Sequence, residues 1–474
     1  MSASVANQII TPATTEPGHN LTTSVQQIDA RHHLHPFTDT AALNRRGARV
    51  MVRGEGVYLW DSEGNKILDG MAGLWCVNLG YGRRELIDAA KTQLEELPYY
   101  NNFFQTTTAP AAVLAQEIAS VTPGDLNHIF FANSGSEAVD TLMRMIRHYW
   151  TLEGQPQKTL LISRDNAYHG STIGGTSLGG MTPMHRQGGP FLPDIEHIRQ
   201  PYWYGEGDGL SEAEFGLKAA AALEERILQL GPERVAAFVG EPIQGAGGVI
   251  MPPAGYWQEI QRICRKYDIL LAADEVICGF GRTGSWFGSQ TLGIEPDLMS
   301  MAKGLSSGYM PISAVAVGDR VASSLIEKGG EFYHGFTYSG HPVAAAVAIA
   351  NIRTMKQEKI VEYVADDIGP YFQQRLRQIL AEHPLVGHIE GIGLIAGIAL
   401  VKDRARRTFF AETGAAGQIC RDHCFENNLI MRAVGDRMVL SPPLIISRDE
   451  VDELCQKVRT CFDLTLKSVR EQGL

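Results

Sequence analysis

The stretch from Leu270 to Leu305 constrains the fold of this chain more than any other part of the sequence. An apolar run, Ile269–Ala273, leads into the acid pair Asp274-Glu275, and a turn rich in glycine follows. A short apolar run that ends in such a turn is typical of a buried parallel strand. Ligands of open α/β sheets bind beyond the carboxyl ends of the strands, so we expect Asp274 to lie beside a ligand.

A single lysine lies near the end of the same stretch. Lys303 stands between small or apolar neighbours, Met301-Ala302 and Gly304-Leu305. Such surroundings exclude water, which lowers the pKa of a lysine and frees its neutral amine to attack a carbonyl. Pyridoxal phosphate needs such a lysine, and also an acid that faces its pyridinium nitrogen. Asp274 and Lys303 match both needs, although a turn-capping aspartate and a solvated lysine would explain each residue alone.

The segments around this pair resemble those of a known family. Asp274–Gly284 reads DEVICGFGRTG, and Pro296–Leu305 reads PDLMSMAKGL. Both resemble the cofactor segment of class III pyridoxal-phosphate-dependent aminotransferases, in particular the omega-amine:pyruvate branch, which includes putrescine–pyruvate and polyamine–pyruvate transaminases. Matching segments run from about Phe37 to the C-terminus. The resemblance implies an α/β protein of fold type I, with a mostly parallel sheet covered by helices in a large domain.

The same resemblance, together with the chain length, predicts the domain organisation. A chain of 474 residues is long for one domain. We expect a small α+β domain built from both chain ends, 31–75 and 344–474, around a large cofactor-binding domain at 76–343. Residues 1–30, which are rich in Ser, Thr, Ala and Gln, are expected to form a loosely held arm.

Composition excludes several classes of partner. The formal net charge of −11 includes no block of like charges, which argues against nucleic acid and membranes as partners. The seven cysteines include no CxxC pair, so we expect reduced thiols and a cytoplasmic protein. No signal peptide is visible before Arg31, and no apolar run approaches the roughly 18 residues of a spanning helix.

A candidate phosphate site lies between a predicted strand and a predicted helix. His128–Phe131 reads as the strand, and apolar residues from Glu137 onward recur at helical spacing. The turn between them contains Ser134, Gly135 and Ser136. Free N–H groups at a helix start favour phosphate, and glycine permits close approach of the backbone. A serine helix cap with an acid in the first turn explains the same residues without a ligand.

The resemblance adds candidates around the cofactor ring. Tyr168 matches the aromatic residue that lies flat on the ring, and Val276 would cover the opposite face. Gln244 would hydrogen-bond the ring oxygen, and Glu241 would pair an arginine when the substrate is uncharged. His169 is either a hydrogen-bond donor in the pocket wall or a supporting core residue.

The resemblance also implies a substrate pocket and a second subunit. Arg432 offers a planar guanidinium suited to a carboxylate. Thr337 resembles the phosphate ligand that a neighbouring subunit donates, so we expect a homodimer or a dimer of dimers with active sites at the subunit interface. The residues expected to line the substrate pocket are Phe37, Leu74, Trp75, Tyr168 and Phe336.

One further cluster, His32-His33-Leu34-His35, could suggest a metal site. In the sequence, however, no cysteine or carboxylate cluster completes a set of metal ligands. We therefore expect no bound metal.

Together these observations predict an omega-transaminase that uses pyridoxal phosphate. It would move an amino group from a primary amine or a diamine such as putrescine to pyruvate, giving an aldehyde and alanine. Transfer from β-alanine or another omega-amino acid to pyruvate is the main alternative. A mutase or decarboxylase on the same fold would use the same Lys303 and Asp274. A non-catalytic protein of this fold would be expected to lack the lysine or the phosphate site.

Overall fold

The computed structural model describes residues 21–189, 191–207 and 209–474, and its strands form three sheets. The strands are β1 Met51–Glu55, β2 Tyr58–Asp61, β3 Lys66–Asp69, β4 His128–Ala132, β5 Leu160–Arg164, β6 Ile195–Ile198, β7 Val235–Gly240, β8 Leu270–Asp274, β9 Leu298–Met301, β10 Ser313–Val317, β11 Val386–Ile392, β12 Ile395–Leu400, β13 Leu429–Ile430, β14 Arg432–Val434 and β15 Arg437–Leu440.

Helices make up much of the remaining described chain. They are α1 Leu21–His32, α2 Thr40–Arg46, α3 Ala72–Trp75, α4 Arg84–Glu96, α5 Ala109–Ala119, α6 Gly135–Leu152, α7 Ile173–Leu178, α8 Thr182–His185, α9 Trp203–Glu206, α10 Glu212–Leu230, α11 Tyr256–Lys266, α12 Gly288–Leu292, α13 Asp319–Glu327, α14 Pro342–Gln357, α15 Ile360–Tyr363, α16 Gly369–Leu380, α17 Ala415–Glu426 and α18 Arg448–Gln472. None of the helices in the described ranges is long and apolar enough to cross a membrane.

The central sheet has the strand order β4-β10-β9-β8-β7-β5-β6. Strand β10 runs antiparallel to both of its neighbours, and the strands from β9 to β6 pair in parallel. Every residue of β7 and β8 is buried. Continuous burial is what a parallel strand covered on both faces requires, and it explains the unbroken apolar runs in the sequence.

Two separate apolar clusters cover the two faces of this sheet. Along β8, Leu270 and Ala272 pack in the cluster that contains the buried face of α6. The alternate residue, Leu271, packs with residues of α10 and α11. Because side chains alternate across a strand, this division places helices on both faces of the sheet. The large domain is therefore the predicted α/β layer structure.

The two ends of the chain share a second sheet, of order β1-β2-β3-β13. Within it, β13 pairs in parallel with β3, and Leu429 lies opposite Leu68. The third sheet, of order β11-β12-β15-β14, comes entirely from the C-terminal part. Segments from both chain ends therefore build the part outside the central sheet, and the precise domain boundaries stay a prediction.

The first residues differ from the expected loose arm where the structure describes them. Residues 1–20 lie outside the described part of the chain, and residues 21–32 form helix α1. The Gln26 side chain donates a hydrogen bond of 2.8 Å to the carbonyl of Ala48. The last ten residues of the predicted arm, 21–30, are thus part of a helix attached to the segment before β1.

A buried arginine joins the turn after β8 to the C-terminal sheet. Arg282 is fully buried and donates hydrogen bonds to the carbonyls of Leu394 and Pro442 and to the Asn78 amide oxygen, the last at 2.9 Å. Burial lowers the pKa of its guanidinium to about 9. The group therefore remains charged at neutral pH, and its bonds satisfy acceptors from three separate segments.

We expect Arg282→Met to destabilise the protein by about 2–4 kcal/mol, because each buried acceptor that loses its donor costs about 1–3 kcal/mol and the relief of a buried charge offsets part of this. The measurement is the urea-unfolding midpoint. The control is Arg265→Met, since Arg265 is exposed and pairs with the exposed Glu295. Equal effects of the two substitutions would show that Arg282 does not join these segments.

Candidate active site

A cavity of about 330 Å³ lies beyond the ends of five strands of the central sheet. Its lining residues follow β4, β5, β7, β8 and β9 in the chain. The structure thus brings together segments that are far apart in the sequence. The predicted cofactor residues that line this cavity are Ser134, Gly135, Ser136, Tyr168, His169, Glu241, Asp274, Val276 and Lys303.

The Asp274 carboxylate is held by hydrogen bonds from three directions. One oxygen contacts His169 Nδ1 at 2.7 Å. The other accepts from the Ser300 hydroxyl at 3.0 Å and from the backbone N–H of Val276 at 3.1 Å. The opposite ring nitrogen of His169 lies 3.0 Å from the Ser163 hydroxyl. His169 is buried, lines the cavity and supports the Asp274 carboxylate through this contact.

Lys303 is the first residue of a short 3₁₀ helix, Lys303–Ser306, directly after β9. Its backbone has a positive φ of 42°, which is uncommon for a residue other than glycine. Burial lowers the pKa of its ammonium, and the negative charge of Asp274 acts in the opposite direction. The net direction is downward, so the environment favours the neutral amine at this position more than water does.

The start of helix α6 forms another wall of the cavity. Ser134 caps the helix by accepting a hydrogen bond of 3.2 Å from the N–H of Glu137. A methyl group on Gly135 would lie 3.1 Å from a Val276 side-chain carbon, so glycine lets the helix start approach Val276 closely. The first N–H groups of a helix have no acceptor within it and attract anions. The serine cap and an anion site can therefore coexist here.

Glu241 and Gln244 follow the end of β7, and Glu241 lines the cavity. The Glu241 carboxylate accepts hydrogen bonds from the backbone N–H of Tyr168 at 3.1 Å and of Gly245 at 2.8 Å. Burial raises the pKa of this carboxyl group. Gln244 is fully buried and donates to the carbonyl of Asp165 at 3.0 Å, and its amide oxygen has no partner among the described residues. Gln244 does not line the 330 Å³ cavity.

Arg432 and Phe37 line a second, larger cavity of about 1160 Å³. The Phe37 ring lies 6.2 Å from the Tyr168 ring, at 66° to it, and so connects the two cavities. Arg432 is half-buried and forms no hydrogen bond or ion pair within the described residues. Burial lowers the pKa of its guanidinium, and Arg432 in turn acts electrostatically on Lys303.

Besides Gln244, four predicted residues line neither cavity in this single chain. Leu74 is 57% exposed, whereas Trp75 is buried in an apolar cluster with Ile243 and Ile277. The expectation that both line the pocket is therefore not met here, because helix α3 is kinked and turns the two side chains apart. Phe336 and Thr337 lie on a loop, where Thr337 is exposed and its carbonyl accepts a hydrogen bond from Tyr99.

Sequence reasoning did not identify Ser300 and Ser163, which fix Asp274 and His169. Ser300 lies directly opposite Asp274 in the register of β8 and β9. A polar residue within an otherwise apolar strand, Leu298–Met301, was the signal that could have identified it. The role of Ser163 depends on the contact with His169, which no local pattern indicates.

A parallel sheet that brings a lysine, an acid and a helix start to one cavity is the arrangement of fold-type-I pyridoxal-phosphate enzymes, and comparison with known proteins confirms the predicted fold class. The chain matches the profile of the family described as aminotransferase class-III over residues 41–462, and it belongs to this family.

Individual relatives match nearly the whole chain. The putrescine–pyruvate aminotransferase of Pseudomonas aeruginosa is 58% identical over 94% of this chain and 97% of its own. A solved (S)-enantioselective omega-transaminase from Thermomicrobium roseum superposes with a TM-score of 0.90 at 43% identity, covering 94% of this chain and 98% of its own. The omega-transaminase of Pseudomonas jessenii in complex with PMP gives a TM-score of 0.92 at 41% identity over 94% and 99%.

Class III aminotransferases depend on pyridoxal phosphate, and the residues of this chain fit that cofactor. The cavity has an anion-binding helix start at one wall and a fixed carboxylate at another. A lysine with a lowered pKa completes the set. The absent side chain of Gly135 leaves the space that a larger residue would fill against Val276.

Proposed function

We propose that this enzyme transfers an amino group from a primary amine or diamine such as putrescine to pyruvate, giving an aldehyde and alanine. The observation that carries the proposal is Arg432, a guanidinium without an ion-pair partner among the described residues, beside the cavity that contains Lys303. Such a group receives the carboxylate of a keto acid. The relative named for putrescine and pyruvate, 58% identical, supports the same substrates.

Each cofactor-site residue has a distinct proposed role. The N–H groups of Gly135 and Ser136, with the hydroxyls of Ser134 and Ser136, would hold the phosphate. Asp274 would hold a proton on the pyridine nitrogen, because His169 and Ser300 fix its carboxylate in one orientation. Tyr168 and Val276 would lie on opposite faces of the ring, and Gln244 would bond its oxygen. When bound, pyridoxal phosphate supplies the electron sink that stabilises negative charge on the substrate carbon.

Lys303 would be both the attachment point and the proton carrier. Burial lowers the pKa of its amine, and the neutral form of that amine can accept a proton from the substrate carbon and return it to a neighbouring atom. Glu241 would pair Arg432 when the substrate carries no carboxylate. Phe37 would contact the carbon chain of the donor, and the buried Trp75 would support the pocket from behind. Contacts of Leu74 and Phe336 with the donor, and of Thr337 with the phosphate, would require a second subunit. We infer a homodimer or a dimer of dimers with shared sites.

A panel of donors tests the proposal and its alternatives. The purified protein is incubated with pyruvate and with putrescine, monoamines or β-alanine, and alanine is measured. Alanine formation from putrescine is expected. Arg432 would also receive the carboxylate of β-alanine, so preference for that donor would favour the omega-amino acid alternative. Product without alanine would indicate a mutase or decarboxylase.

The cysteines of the described chain are all unpaired, which supports the proposed cytoplasmic location.

We expect Lys303→Ala to lower alanine formation at least about 10³-fold, because Lys303 is the one lysine among the described residues that line the cavity and would carry the proton. Intact mass after borohydride treatment should show no covalently attached cofactor. Lys328→Ala, a change at a half-exposed lysine paired with Glu153, is the control and should behave as wild type. Normal turnover by Lys303→Ala would contradict the assignment.

Thr337→Ala is expected to weaken cofactor retention, because the exposed Thr337 would donate to the phosphate held by the partner subunit. Retention is measured by cofactor absorbance after gel filtration at high and low protein concentration. Wild-type protein should lose cofactor as it dissociates. A monomer that retains cofactor as tightly as the dimer would count against a shared site.

Arg432→Ala should raise KM for pyruvate by the loss of one charge-assisted bidentate contact, about 2–3 kcal/mol at most. The half-reaction with putrescine should remain largely intact, since that donor carries no carboxylate. Arg432→Lys, which keeps the charge and loses the planar fork, should give an intermediate KM. Equal loss of both half-reactions would mean that Arg432 is structural.

A further inference from the structure

The end of helix α1 brings together three metal-binding side chains outside the active site. Asp29 and His33 are one helical turn apart, and His33 Nδ1 lies 3.0 Å from an Asp29 carboxylate oxygen. The chain then leaves the helix and returns His35 to the same carboxylate, with Nε2 at 2.8 Å and 2.9 Å from its two oxygens. The three ligand atoms all lie within 4.8 Å of one another.

The fold brings one carboxylate into contact with two imidazoles, an arrangement that the sequence pattern did not predict. Asp29 lies three residues before His32 in the sequence, and its spacing of four residues from His33 brings these two side chains to one face. The turn after the helix then brings His35 to the same carboxylate. Two imidazoles and one carboxylate are the donor set that binds zinc and similar divalent transition metals, and a water molecule takes the fourth position. Magnesium and calcium prefer oxygen ligands and fit this set poorly.

The distances allow an ion to enter after a small adjustment. Tetrahedral zinc with bonds of about 2.1 Å separates its ligand atoms by about 3.4 Å. The observed separations of 2.8 Å and 3.0 Å must therefore open by a few tenths of an ångström. His33 and Asp29 are partly accessible, with exposed fractions of 59% and 17%, so an ion can reach the cluster from solvent.

A hydrogen-bonded cluster without an ion is the competing explanation. An ordinary ion pair on a helix surface needs only one histidine for each carboxylate, such as the pair of Asp29 and His33 at i,i+4 spacing. Here a second imidazole turns back onto the same carboxylate, and the two rings lie 4.1 Å apart.

We propose that Asp29, His33 and His35 form a binding site for one divalent transition-metal ion, with Zn²⁺ as the best-matched species. The candidate site lies beside the entrance to the larger cavity, since His35 lines that cavity together with Phe37. An ion bound there would tie the end of α1 to the segment that carries Phe37.

Zinc titration of the tag-free holoenzyme tests this site independently of the amine donor. After dialysis against EDTA and then metal-free buffer, calorimetry with Zn²⁺ should show one equivalent per chain. Co²⁺ should give visible absorption bands of a site with nitrogen and oxygen ligands. Asp29→Asn and His35→Ala should each weaken Zn²⁺ binding at least about 10-fold.

The matched control is His32→Ala, because His32 is an exposed neighbour outside the cluster and should bind Zn²⁺ as wild type does. Thermal melts without metal check that each variant is folded. If Asp29→Asn does not fold, His33→Ala takes its place, because the His33 side chain is mostly exposed. Absence of saturable binding to wild type would overturn the proposal. Equal losses in His32→Ala and His35→Ala would overturn it too, by indicating binding to the segment without the folded cluster.

Discussion

The parallel pairing of β8 with β9 is the constraint on which the active site depends. Asp274 lies opposite Ser300 in this pairing, and Lys303 follows three residues later on the neighbouring strand segment. Asp274 and Lys303, the two residues that the cofactor needs most, therefore lie at the ends of adjacent strands of one buried sheet. Backbone hydrogen bonds hold their relative positions, and sites built on rigid elements keep their geometry better than sites on loops.

Burial shifts the pKa values of acidic and basic groups around the cavity in opposite directions. It lowers the pKa of Lys303 and Arg432 and raises that of Glu241, in each case because a charged form is disfavoured away from water. Pairs of groups whose pKa values are pushed in different directions are typical of acid–base sites. Asp274 differs from these groups because three donors surround its carboxylate. The site thus combines one firmly hydrogen-bonded carboxylate with one amine that loses its charge readily.

Different kinds of structural element form the two cavities, and this difference affects the specificity for the amine donor. The smaller cavity is formed by strand ends and a helix start, whereas the larger one is lined by loops, the N-terminal segment and the C-terminal hairpin around Arg432. Loops tolerate substitution better than core elements do. The chemistry can therefore be shared across a family while the donor preference varies. The neighbouring Asp29 cluster lies beside this larger cavity, which His35 lines.

Local pattern alone determined much of the core of this protein. The apolar runs predicted β4 and β8 to within one residue at each end. The position of Lys303 among small neighbours anticipated its lowered pKa. These features depend on contacts along one strand or one helical turn, and such contacts leave a period in the sequence. The resemblance to class III aminotransferases added the fold class, which comparison with known proteins confirmed.

Only the tertiary structure decided which distant side chains meet. His169 and Asp274 are separated by 105 positions, and strand order rather than periodicity brings them to 2.7 Å. Leu74 and Trp75 are adjacent in sequence, yet one is exposed and the other buried, because a kink turns the backbone between them. The return of His35 to Asp29 likewise follows from how the chain leaves a helix. The spacing of apolar residues shows which face of a helix or strand is buried, but it does not show which other element packs against that face.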